Sequence, residues 1–421
     1  AAGTVSIKGG KLSGGTAANY GGTMYIDTDD CNITGGIITD GAAKYGGCIT
    51  VGTGKTFNLK GGIIENGEAE KGGCVYIQSS VMNIYGGAIK RGTTLNTTFT
   101  CYGGNVYIGY ESKPSVLNMY GGSIENGQAY GMSGNINVTS GTTFNMYDGT
   151  VTGGNATSYT TTNGTKSGGH GGNCFVSGTL NISGGTITAG VASSNGGGNL
   201  SVNGAGSRVY MTGGVIKNGS STARGKGNVY IWNNATSNSF EMTGGKITSD
   251  SSFLYKNGYF GGGVYVADQN ANKVVVERNI KISGDAVISG NICYNTYSEL
   301  TNKNTPTYAN VTLEGDKKLD VGKCNAANIG VTLQNETGTG TFTIGGANYK
   351  YAFTSDAKKY IVTEGENLAI ADEAGTNEPA SNTLTAREGK PSDVDLVLPK
   401  DTKNIIQKDD YIHFNIAAGE T

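Results

Sequence analysis

Asp27, Asp29 and Asp30 crowd one strand end, and carboxylates this close can serve acid–base chemistry or hold a calcium ion. Glu65 and Glu125 fall in equivalent turns two repeats apart, which the rise of stacked strands turns into about 9–10 Å. A glycosidase needs two carboxylates roughly 5–10 Å apart, one of them with a displaced pKa. Arginine, the partner that a β-helical lyase would add, is sparse: Arg91, Arg208, Arg224 and Arg278. None joins the acids in a recognisable constellation. The two histidines, His170 in a glycine-rich loop and His413 near the C-terminus, are too few for a His-centred triad or metal cluster. No GxGxxG opens a helix, so nucleotide binding has no support. No catalytic residue, metal ligand or cofactor is expected.

Recognition has better material. Tyr85, Tyr120 and Tyr147 take the same outward position in three consecutive repeats, with Asn83, Asn118 and Asn145 two residues before them. Aromatic faces beside amides suit sugar rings, whose C–H faces stack while their hydroxyls take hydrogen bonds. A second aromatic row, also read as outward, runs through Tyr25, Tyr76, Tyr107, Phe175, Tyr230 and Tyr265. Tyr and Asn are also good ladder residues that steady stacked strands with no ligand at all.

The element that positions these rows is a repeat of two half-units. The first reads apolar-Asn-apolar-x-Gly-Gly-x-Ile, as at Cys31, Phe57, Met82, Leu117 and Leu180; the second reads Gly-Gly-x-apolar-x-apolar, as at Gly21, Gly46, Gly72 and Gly103. The tightest copies recur about every 25 residues, a spacing typical of repeat architectures. Within each half-unit the apolar residues alternate with period two, which means strands. Propeller blades need about 40–50 residues and four strands each, too long for this period. The pattern predicts an all-β, right-handed, single-stranded parallel β-helix of about ten coils, roughly 45–50 Å long.

Alternation assigns faces. Phe57 with Leu59, Leu117 with Met119, and Val106 with Ile108 point inward. Asn105, Asn135, Asn173, Asn199 and Asn228 follow bend glycines in successive coils and can pass side-chain hydrogen bonds from coil to coil. Cys48 and Cys74 hold the same place in two earlier coils, close enough for a disulfide or for two stacked buried thiols.

The phrases Gly61-Gly-Ile-Ile-Glu-Asn-Gly-Glu-Ala-Glu-Lys-Gly-Gly-Cys-Val-Tyr-Ile and Gly86-Gly-Ala-Ile resemble the adhesin-like parallel β-helix repeat surface proteins of gut Clostridia and related Gram-positive bacteria. The stretches Asn310-Val-Thr-Leu, Ile329-Gly-Val-Thr and Phe353-Thr-Ser-Asp resemble the segment that follows the repeats in that group. The resemblance implies an extracellular, cell-surface setting. With no catalytic constellation in the residues, the chain is read as non-catalytic, binding a host glycan or a host surface or secreted protein through the Tyr/Asn strip or a loop edge. Two other readings stay open: a polysaccharide lyase or glycoside hydrolase, and a structural stalk or filament subunit.

Composition agrees with a thin column: 72 glycines in 421 residues, 36% hydrophobic residues and a formal net charge of −2. A phosphate-tracking nucleic-acid binder would carry a basic excess, and no apolar run reaches the roughly 20 residues of a membrane span. The glycine rhythm stops near Tyr308, so residues 1–308 are read as coils and 309–421 as irregular final coils with a β cap or small β domain. Such a cap covers an edge that would otherwise aggregate. The chain opens inside a half-unit, and that open first coil is read as a surface for self-association. Long insertions at 92–101, 155–170, 250–260 and 291–308 all fall between the first half-unit and the second, which places them on one edge, where binding loops gather.

Overall fold

The apolar-x-apolar triplets become strands because their inward side chains stack on their own counterparts one coil away. The computed structural model describes residues 3–95, 101–109, 112–194, 196–222, 226–232, 239–249, 262–267, 278–293, 307–325, 327–373, 405–408 and 411–414. It is a parallel β-helix with three long ladders. The first half-unit opens ladder A, whose twelve strands run from Thr4–Ile7 to Thr343–Ile344, two coils beyond the expected ten. Ladder B follows the Gly-Gly bend, from Lys11–Ser13 to Phe353–Ser355. Ladder C carries the second half-unit, from Met24–Ile26 to Val311–Glu314. A short edge ladder joins B to C through strands such as Glu68–Ala69, Thr93–Thr94 and Gln128–Met132.

Register is in step across the repeats: Phe57 pairs with Met82, Met82 with Leu117, and Leu117 with Phe144, all fully buried. Val106 and Ile108 are buried in ladder C, as alternation requires. The bends need glycine. A Cβ on Gly104 would meet the Gly134 carbonyl oxygen at 2.2 Å, so coils could not stack there.

A second bend follows each ladder B strand as far as Val215–Lys217 and places one residue in the left-handed region. Asp40, Asn66, Asn126 and Asn218 are suited to it; Arg91 and Ala189 are not (φ 55° and 57°). Ala189→Gly is therefore expected to stabilise the protein by about 0.5–1 kcal/mol, the left-handed strain relieved less the added chain entropy. Denaturant midpoints check it, and an unchanged or lower midpoint would contradict it.

The column continues past Tyr308. Asn328–Gln334 is a single long strand that pairs at its start with Val287–Ile288 of ladder B and over its last four residues with Val311–Glu314 of ladder C. Ladders B and C thus fuse into one sheet of 22 strands. Above it, Gly340–Thr341, Tyr360–Glu364 and Asn367–Ala371 form a small antiparallel sheet. Phe342, Leu368 and Ile370 join its buried side to the core. Compact packing places residues 1–372 in one unit and 373–421 in another. In the second, Ile405–Lys408 and Tyr411–Phe414 make a hairpin that includes His413.

Among the long insertions, Asn155–Thr160 and Lys166–Gly168 form a hairpin. Residues 96–100, 250–260 and 294–306 of the other three lie outside the described residues, as does Arg224.

Candidate functional site

Asn83, Asn118 and Asn145 sit at the third position of ladder A strands, outward and half-buried. They belong to a longer row. Asn181 donates to Asn145 at 2.7 Å, Asn145 to Asn118 at 2.8 Å, Asn118 to Asn83 at 2.9 Å, and Asn83 to Asn58 at 2.8 Å. Asn58 then donates to the Asp30 carboxylate at 2.7 Å. An ionised carboxylate only accepts, so Asp30 fixes the direction of the whole relay. Asn83, Asn118 and Asn145 each spend one N–H and one lone pair on their neighbours and keep the others for a partner.

Tyr85, Tyr120 and Tyr147 leave the same strands one step further on and are 49%, 43% and 47% exposed. Their rings lie flat against one another: centroids 5.0 and 4.8 Å apart, planes within 9° and 3°. Loss of solvent pushes the Tyr120 phenol up, with smaller contributions from Tyr147 and Tyr85. This geometry changes what the strip can do. Both faces of Tyr120 are occupied by its neighbours, so no sugar ring can stack there. What the strip offers outward is ring edges, hydroxyls and amides.

Tyr76 and Tyr107 do not extend the strip. They point away from the core but are roofed over. Tyr76 is only 4% exposed, and its ring lies across Gly109 one coil on. Tyr45 packs on it at 5.3 Å and Tyr107 at 5.5 Å, while the Lys71 ammonium sits over the Tyr45 and Tyr107 rings. Burial pushes the Tyr107 phenol up to about 12. The residues just before each Gly-Gly pair (Tyr20, Tyr45, Lys71, Tyr102) form this roof, a contact that strand alternation does not reveal. Phe175, Tyr230 and Tyr265 of the same row are also buried, and Tyr25 is exposed.

The acids have structural partners. Asp29 pairs with Lys55 at 2.9 Å, and Asp27 lies 3.8 Å from the same ammonium. The Lys55 hydrogen bond holds the Asp29 carboxyl below its ordinary range. Glu65 is clamped between Arg91 and Lys90. Ladder register sets Lys90 between Glu65 and Glu125, so the two carboxylates do not face a shared space. Burial pushes His170 down to about 4, where its ring meets Trp232 edge-on at 5.0 Å. All seven cysteines are free and buried; Cys48 and Cys74 are stacked thiols, and burial holds the Cys74 thiol up. Among the described residues no group of three His, Cys, Asp or Glu could hold a metal ion, and no helix is long and apolar enough to cross a membrane.

Inside the column the second amide row runs further than its five expected members. Asn105 donates to Asn135, Asn135 to Asn173, Asn173 to Asn199 and Asn199 to Asn228, each at 2.7 Å. Asn228 continues to Asn291 and Asn291 to Asn310, each at 3.0 Å. Asn310 ends the relay on the Asp356 carboxylate, which also accepts from the Asn310 backbone N–H and the Thr332 hydroxyl, both at 2.8 Å. This relay runs toward the C-terminus, opposite to the outer one, and each is terminated by a carboxylate at its own end.

No protein-family model matches the chain, and neither a curated protein nor a solved structure matches it.

Proposed function

We propose that this chain is a non-catalytic, adhesin-like segment of an extracellular bacterial surface protein. It binds a host protein, or a glycan through its hydroxyls, by the Tyr/Asn face of ladder A. The observation that carries the reading is the stack of Tyr85, Tyr120 and Tyr147, half-exposed beside amides with unspent hydrogen-bonding capacity. Large aromatic groups left in solvent beside polar groups are the usual anchors of protein recognition. The closed ring faces favour a polypeptide surface over a stacked sugar.

Arrays of host glycans and host proteins test this. A specific ligand is expected, with Tyr120→Ala weakening binding about tenfold or more while the thermal midpoint stays within a few degrees. A stalk is the second reading, favoured by the way both rows satisfy one another within the column. Silence across both arrays would favour the stalk. Release of unsaturated or reducing sugar from a polymer would replace both readings with an enzyme.

A further inference from the structure

The ladder A face has a composition that selects its partner. Across four coils its three outward rows carry no charge: Val81 to Thr179, Asn83 to Asn181, and Tyr85 to Ser183. Lys60 bounds this window on one side and Arg208 on the other. The window is about 20 Å along the axis and about 16 Å across. The rows have different heights: tall rings on one flank, short Val and Thr side chains on the other, amides between. They repeat at the coil rise, 4.8–5.0 Å from ring to ring.

We infer that this face docks on the same face of a second copy of the chain, about a two-fold axis parallel to the column. The inference rests on the reading of this face as a binding face and gives it a partner besides the host ligand. A partner that engages every coil alike must match a repeat near 4.8 Å. An extended strand lying along the column advances about 6.6 Å per side-chain pair and falls out of step, whereas another stacked sheet stays in step. The parallel two-fold sets Tyr85 and Tyr120 over Val81 and Val116 of the second copy, and Tyr147 over Thr143, tall against short. Asn faces Asn, using the N–H and lone pair that the relay leaves spare. Lys60 then meets Thr56 and Arg208 meets Thr212, so no like charges oppose. An antiparallel two-fold would set ring row against ring row. The window is smaller than a standard interface, which buries roughly 1,200–2,000 Å² in total, so the pairing is weak and concentration-dependent.

Sedimentation of the whole chain over a wide concentration range is expected to show a reversible dimer. Tyr120→Lys, folded by its melting curve, abolishes it, and Tyr25→Lys, equally exposed on ladder C, leaves it intact. Asn83→Cys and Asn181→Cys, each alone, are expected to cross-link to themselves with a short bis-maleimide. Cross-linking only when the two variants are mixed would mean an antiparallel pair and would overturn the geometry. A strictly monomeric chain, or a dimer indifferent to Tyr120→Lys, as in association through the first coil, would overturn the inference. If array binding still depends on Tyr120 in a monomeric chain, the inference fails alone; if the arrays are silent too, the binding-face reading fails with it.

Discussion

Asn173→Ala is expected to cost about 4 kcal/mol, the largest effect of any single polar substitution in the column. Its amide sits mid-relay: Asn135 and the Gly154 N–H donate to its oxygen, and its nitrogen donates to Asn199 and the Thr188 carbonyl. All of these groups lie within the column. Removing one partner leaves each buried group to bear its own desolvation, about 1–3 kcal/mol apiece, and some relaxation lowers the sum. Asn83→Ala provides the contrast. It breaks the same kind of relay on the half-buried outer face, where water replaces the lost bonds, and is expected to cost under about 1 kcal/mol. Denaturant unfolding of the two variants checks both values, and equal costs would refute the distinction.

Asp356→Ala is expected to destabilise the C-terminal coils by about 2–3 kcal/mol. The carboxylate takes three hydrogen bonds, two from Asn310 and one from Thr332. Asp356→Asn is no remedy, because it turns an NH2 group toward donors. Hydrogen exchange should show the loss first around Val311–Glu314 and Asn328–Gln334, and uniform loss along the column would argue against a terminator. The pH dependence has a definite sign. Burial is the leading influence on Asp356 and raises its pKa, against the pull of Asn310 and Thr332. The folded state therefore binds the proton more tightly than the unfolded state. Asp356 contributes most at low pH, and this contribution falls as pH rises from the ordinary Asp range through the raised value. Subtracting the pH profile of Asp356→Ala from that of the parent isolates it.

Much of the column was legible because the repeat is short and strict. Phe57, Leu117 and Val106 had to face inward once the period was two, and the structure buries all three. The Asn row was legible in the six regular first half-units, including Asn32, Asn58 and Asn181, yet only three members stood out because tyrosine marked them. Asn291, Asn310 and Asp356 were hidden because insertions break the rhythm before them. The fate of Tyr76 and Tyr107 could not be read from alternation. Pointing outward is a property of the strand, whereas exposure depends on the neighbouring residues before each glycine pair. Nor did spacing reveal that the strip's rings would close on one another. That follows from ring orientation, which the repeat leaves free.

The fused strand Asn328–Gln334 has a mechanical consequence. In most of the column, hydrogen bonds run along the axis, so a pull on the chain can peel one coil from the next, a few bonds at a time. Asn328–Gln334 is held at once by Val287–Ile288, Val311–Glu314 and Phe353–Ser355. Once Phe353–Ser355 has been pulled away, force arriving from the C-terminal side must still break the pairings of Asn328–Gln334 with both ladders before it reaches the next coil. The column is a zipper along most of its length, with a stop sewn into this end.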